Sequence, residues 1–158
     1  MDGEATALIK AKPEEIYDLV ADVTKMGLWS PECYRCEWID GAVGPVAGAR
    51  FKAWNRRGLL RWSNKPVVTA AARGQEFAFS RSGLGQGVIV WRYRIQPAGA
   101  GSTQVTESWE VLRPPWGMVR KMVELLERSG DPLDRVQGGM ETTLARLKTA
   151  AEHGGATL

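Results

Sequence analysis

Apolar and polar residues alternate with a period of two through the middle of this chain, and apolar residues take helical spacing near both of its ends. Ala5 to Ala11 reads as a short strand. Lys12-Pro13-Glu14-Glu15 then sets Pro and two acids where the first turn of a helix favours them, and Ile16, Leu19 and Val20 form its apolar stripe. Asp22 can cap a second short helix carrying Val23, Met26 and Trp29, which Ser30-Pro31 ends. From Cys33 the period of two persists, with turn residues between its runs. The predicted strands are Cys33 to Asp40, Ala49 to Arg56, Leu59 to Ala72, Gln75 to Arg81, Val88 to Gln96 and Thr103 to Leu112. Gly83-Leu84-Gly85-Gln86-Gly87 lacks the Lys-Ser/Thr and helix of a phosphate loop and reads as a hairpin connection.

After Pro114-Pro115, Trp116 to Arg128 carries Met118, Val119, Met122, Val123, Leu125 and Leu126 at helical spacing. Ser129-Gly130 interrupts it. Asp131-Pro132 restarts a helix whose stripe is Leu133, Val136, Met140, Leu144, Leu147 and Ala151, so one face must lie on the sheet. Gly138-Gly139 within that stripe implies either close approach to the sheet or space left open there. The expected organisation is one domain over residues 1–152 and a frayed tail over 153–158.

Pleat alternation assigns faces. With Arg50, Lys52, Arg56, Arg61 and Lys65 toward water, Phe51, Ala53, Asn55, Leu60, Trp62 and Asn64 turn inward and Trp54 outward. The same test turns Phe77, Phe79 and Arg81 inward, then Ile89, Trp91, Tyr93 and Ile95, then Val105, Glu107, Trp109 and Val111. The concave face thereby collects many large rings opposite Met140 and Leu144, with Trp29 nearby. Such rings can enclose a ligand-sized cavity or pack a dry core, and both readings stand.

Composition narrows the class. At 158 residues, 44% hydrophobic and 25% charged, the chain is sized and balanced like an ordinary globular domain, and seven Trp are its outlier. The net charge of +3 comes largely from alternating basic residues, which reads as a solvated sheet face rather than a nucleic-acid surface. No run approaches the roughly 20 apolar residues of a membrane span, and the start is acidic, so the expectation is a cytoplasmic protein without stable membrane insertion, monomeric or homodimeric. Cys33 and Cys36 have the spacing of a redox or zinc half-site. On a regular strand that spacing turns two thiols to opposite faces, so neither metal nor disulfide function is expected, and no cofactor.

The segment Ala11-Lys12-Pro13-Glu14-Glu15-Ile16-Tyr17-Asp18-Leu19-Val20-Ala21-Asp22 with Leu28-Trp29-Ser30-Pro31 resembles the opening of the polyketide cyclase/dehydrase (lipid transport) branch of the START-like, or SRPBCC, superfamily. Gly48 to Gly58 with Trp62, Phe77-Ala78-Phe79, Val105 to Glu110, and Gly139 to Lys148 resemble its later motifs in register. The resemblance covers nearly the whole chain. It implies an α+β helix-grip fold, β-α-α-β6-α, in which a curved antiparallel sheet wraps a long C-terminal helix around an internal cavity. It also implies binding of lipids, polyketides or aromatic metabolites, some members being aromatase/cyclases. Trp116 to Asp131 departs from the pattern as an insertion, either a flap over the cavity mouth or plain packing.

Glu107 is the acid on the inner face, flanked by Val105 and Trp109, where desolvation raises a carboxyl pKa. It reads either as a general acid or base, with Tyr93 or Asn64 stabilising an enolate, or as a brace satisfied by Arg81, Asn64 or an indole N–H. Asn55, Asn64, Arg81 and Tyr93 are polar groups able to orient a ligand. No nucleophilic triad is present, the one histidine being His153 in the tail. Three functions follow: a binder of a small hydrophobic metabolite, a polyketide cyclase/dehydratase-type enzyme, or a regulatory or interaction module without a ligand.

Overall fold

The computed structural model describes residues 2–83, 87–114, 116–118, 121, 125 and 132–153. Most of the helical segment expected over Trp116 to Arg128, the tip of the hairpin connection at 84–86 and the tail after His153 lie outside the described residues. Strand β1 (Asp2–Ile9) leads into α1 (Pro13–Ala21), a 3-10 turn (Val23–Lys25) and α2 (Met26–Trp29). Seven further strands follow: β2 (Cys33–Ile39), β3 (Arg50–Arg57), β4 (Leu60–Asn64), β5 (Val67–Ala72), β6 (Glu76–Gly83), β7 (Gly87–Pro97) and β8 (Thr103–Arg113). Helix α3 (Pro132–Glu152) closes the fold.

The sheet is antiparallel, in the order β1-β8-β7-β6-β5-β3-β2, with β4 paired to β3. Its ends are specified locally. Pro13 occupies the first turn of α1, where Glu15 Oε2 accepts the Lys12 N–H at 3.3 Å. Asp22 Oδ1 accepts the Thr24 N–H at 3.2 Å, so the expected cap forms on a 3-10 turn. The strand expected over Leu59 to Ala72 is divided at Lys65-Pro66, because proline has no N–H for the ladder. Register with β3 survives the break, running from Arg57↔Leu60 through Ala53↔Asn64 to Arg50↔Val67, and the Pro66 carbonyl accepts the Phe51 N–H at 3.2 Å.

Helix α3 lies along the β1 side of the sheet, where Lys148 Nζ donates to the Leu8 carbonyl at 2.8 Å and Gln137 Nε2 to that of Glu4 at 3.2 Å. Among the described side chains of this helix, Met140, Thr143, Leu144, Leu147 and Ala150 are buried. Facing them, an aromatic ladder crosses the concave sheet. Tyr17 meets Phe77 edge-on at 6.5 Å, Phe77 lies 6.0 Å from Phe79, Phe79 5.3 Å from Phe51, and Phe51 5.8 Å from Trp38. On the convex side Trp54 is flanked by Arg35 and Lys52, 4.6 and 4.8 Å from its ring centroid, so it does face outward. Leu60 was expected inside and is exposed, since β4 pairs only with β3.

One close approach sets where α2 sits. A Cβ on Gly27 would stand 2.5 Å from the Tyr34 carbonyl oxygen, backbone that cannot swing aside. Gly27→Ala is therefore expected to cost about 1–3 kcal/mol by forcing α2 off β2, read as a lower urea midpoint; an unchanged midpoint would show that the contact is not maintained.

Candidate functional site

Between the concave face of β3 to β8 and helix α3 lies a cavity of about 520 Å³. Buried Phe51, Ala53, Asn55, Tyr93, Glu107 and Met140 form its inner wall, and exposed Arg56, Arg57, Gly58 and Arg135 stand at its mouth. Among the residues expected to meet a ligand, Phe51, Asn55, Asn64, Phe79, Arg81, Trp91, Tyr93, Glu107 and Met140 border this space.

Trp29, Trp62, Phe77, Trp109 and Leu144 do not border it, although the sequence reading set them with the ligand. Trp29, Phe77, Trp109 and Leu144 are packed in the buried core, and Trp62 lies beside an arginine of the mouth. Phe77 is fully buried against Tyr17. Trp109 lies over Gly3 of β1, where a Cβ would come within 2.7 Å of the indole Nε1. Trp29 and Leu144 belong to the buried core, and the Arg57 guanidinium lies over Trp62, 5.6 Å from its centroid. Pleat alternation had shown which face each residue takes, whereas the position of α3 decides which part of that face stays open.

Sequence reasoning missed Met26, Pro31, Cys33, Gly139 and Thr143 on the wall. Gly139 answers the question left by the paired glycines. A Cβ there would meet only Pro31 Cγ, at 3.8 Å, so the glycine leaves space and not a close approach.

The polar centre is the cross-strand pair Tyr93↔Glu107, where the Tyr93 hydroxyl donates to Glu107 Oε1 at 2.9 Å. Tyrosine thus takes the part expected of Arg81, Asn64 or an indole. Burial pushes the Glu107 carboxyl up to about 8, against the smaller opposing effect of the Tyr93 hydrogen bond. Burial likewise raises Tyr93, helped by the neighbouring carboxylate. At neutral pH Glu107 is mainly the neutral acid. With Oε1 accepting from Tyr93, its proton belongs on Oε2, a donor without a protein partner. Asn55 Nδ2 and Asn64 Oδ1 are also buried without protein partners. Arg81, its pKa lowered chiefly by burial, lies 6.0 Å from the Trp91 centroid.

Cys33 and Cys36 correct the sequence reading outright. They are not on opposite faces: their sulfurs are 3.3 Å apart, both buried. The reason is a β-bulge, since β2 pairs Cys33 with Asn55 but Arg35 with Trp54, and the extra residue returns both thiols to one side. Among the described residues no cluster of three metal-ligating side chains occurs, and no helix is long and apolar enough to cross a membrane.

A family model described as polyketide cyclase / dehydrase and lipid transport matches residues 2–152. A polyketide-cyclase-like protein from Corynebacterium glutamicum is 31% identical, with 94% of this chain and 90% of that one covered and a TM-score of 0.59. A START superfamily protein from Mycobacterium smegmatis shares the fold at 18% identity, with a TM-score of 0.66 and coverage of 96% and 97%. The di-domain ARO/CYC StfQ from the steffimycin biosynthetic pathway does so at 14% identity and a TM-score of 0.68, with 97% of this chain and 45% of that one covered. No curated protein matches the sequence.

Proposed function

The chain belongs to the polyketide cyclase / dehydrase and lipid transport family, and from that premise we propose that its cavity binds one small hydrophobic metabolite by a ring or acyl body carrying a carbonyl or hydroxyl. The observation that carries this reading is the set of buried polar atoms without protein partners, Glu107 Oε2, Asn55 Nδ2 and Asn64 Oδ1, on residues of a wall that also carries apolar Phe51, Phe79, Trp91 and Met140. A buried donor or acceptor left unpaired costs about 1–3 kcal/mol, so a ligand group that pairs with one recovers that energy as affinity. Phe51, Phe79, Trp91 and Met140 supply the apolar contact, and a volume of about 520 Å³ lies in the range of small-molecule sites.

The test is native mass spectrometry of freshly purified protein beside thermal shifts across an apolar metabolite library. A bound molecule, or a ligand stabilising by about 2.7 kcal/mol at a hundredfold excess over its Kd, is expected. Gly139→Leu is the matched control. It should gain up to about 1 kcal/mol of helix stability while its side chain fills the open wall, raising the melting temperature and abolishing the ligand response. No response in the wild type would favour a closed interaction module.

A second reading is favoured by the Tyr93–Glu107 pair itself. A neutral carboxylic acid whose O–H has no protein partner, on a residue that borders the cavity, can donate a proton or hydrogen bond to a ligand carbonyl that reaches it, the requirement of a cyclase or dehydratase step. Under it, Glu107→Gln should retain the ligand and lose turnover. Equal turnover in that variant would remove the catalytic role.

A further inference from the structure

The Cys-x-x-Cys of β2 has no part in ligand binding as proposed above, yet the bulge at Tyr34 brings its sulfurs to 3.3 Å. A disulfide needs about 2.05 Å, so closure asks each sulfur to move well under 1 Å, within the reach of side-chain rotation. The two thiols differ in access. Cys33 lines the cavity beside Asn55 and Arg81, whereas Cys36 lies behind it, with its sulfur 3.8 Å from Met26 Sδ. Both are buried, so a reagent reaches the pair through the cavity.

We propose that Cys33 and Cys36 form a redox-active dithiol on the cavity wall, which a small organic disulfide entering the cavity oxidises to an intramolecular disulfide. The Cys33 thiolate attacks one sulfur of the reagent, whose S–S bond breaks and expels one thiolate that takes up the proton Cys33 released. The Cys36 thiolate then attacks Cys33 sulfur, expelling the second reagent thiolate, which takes the Cys36 proton. Two protein thiols are oxidised and one reagent disulfide is reduced to two thiols. The division of labour follows from access: Cys33 borders the cavity and is the nucleophile, while Cys36 does not border it and is the resolving thiol; the hydrogen bond between them acts in the same direction by favouring the Cys33 thiolate.

The test treats native protein with 2-hydroxyethyl disulfide, quenches with acid, alkylates free thiols and measures intact mass. The wild type is expected to lose both alkylatable thiols and to fall by about 2 Da from the reduced mass without retained adduct. Cys36→Ser should stop at a mixed disulfide on Cys33, and Cys33→Ser should react slower by about tenfold or more. Wild-type protein that keeps both thiols or retains the adduct overturns the proposal, as does equal reactivity of the two variants. Should the variants not fold, peptide mapping of the mixed disulfide trapped early in the wild type decides the order. An adduct on Cys33 supports the proposal and one on Cys36 overturns it.

Discussion

Glu107→Gln is expected to stabilise the protein at pH 8.5 and to leave it nearly unchanged at pH 5. The unfolded carboxyl titrates near 4.5 and the folded one near 8. Between those values the unfolded chain has released the proton that the folded chain still holds, so stability falls as pH rises. The favourable neutral state is fully present below 4.5, and its advantage is lost progressively as pH climbs through about 8. At about 1.4 kcal/mol per pH unit, the window corresponds to on the order of 5 kcal/mol. Gln is uncharged throughout, keeps an oxygen to accept the Tyr93 hydroxyl, and removes this slope. Urea midpoints for both proteins at pH 5, 7 and 8.5 measure it, since groups common to both cancel in the difference. A wild-type and variant difference that does not change with pH would mean that Glu107 is ionised in its buried site.

Phe77→Ala should cost about 3–5 kcal/mol, a large share of the 5–15 kcal/mol that typically holds a domain together. The ring is fully buried between Tyr17 and Phe79, joining α1 to the sheet, and rigid neighbours on both sides limit collapse into the space it would leave. Because Phe77 does not border the cavity, any ligand-induced rise in melting temperature should survive in the folded fraction. A lost ligand response with stability intact would return Phe77 to the binding surface, where strand alternation alone had set it.

The two residues illustrate how far sequence reached. Glu107 and Tyr93 were legible because alternation fixes the parity of a strand, and an acid between Val105 and Trp109 must turn inward with them. Their hydrogen bond was not legible, because it depends on β7 and β8 pairing in the one register that sets Tyr93 opposite Glu107. Phe77 shared the right parity too. Whether an inward residue meets empty space or a neighbour is decided by curvature and by where α1 and α3 cross the sheet, which a period of two does not encode.

By itself the sequence determined the order of strands and helices, the helix start at Pro13 and the cap at Asp22, and the inward parity of Phe51, Asn55, Phe79, Tyr93 and Glu107. These follow from local sterics and alternation, which operate over a few residues. Tertiary structure alone decided the extent of the cavity, the partner of Glu107 and the meeting of the two cysteines. Each of these needs residues distant in the chain, and the bulge in β2 shows the reason most simply: one extra residue, specified by pairing with β3, reverses the face on which Cys33 and Cys36 would otherwise part.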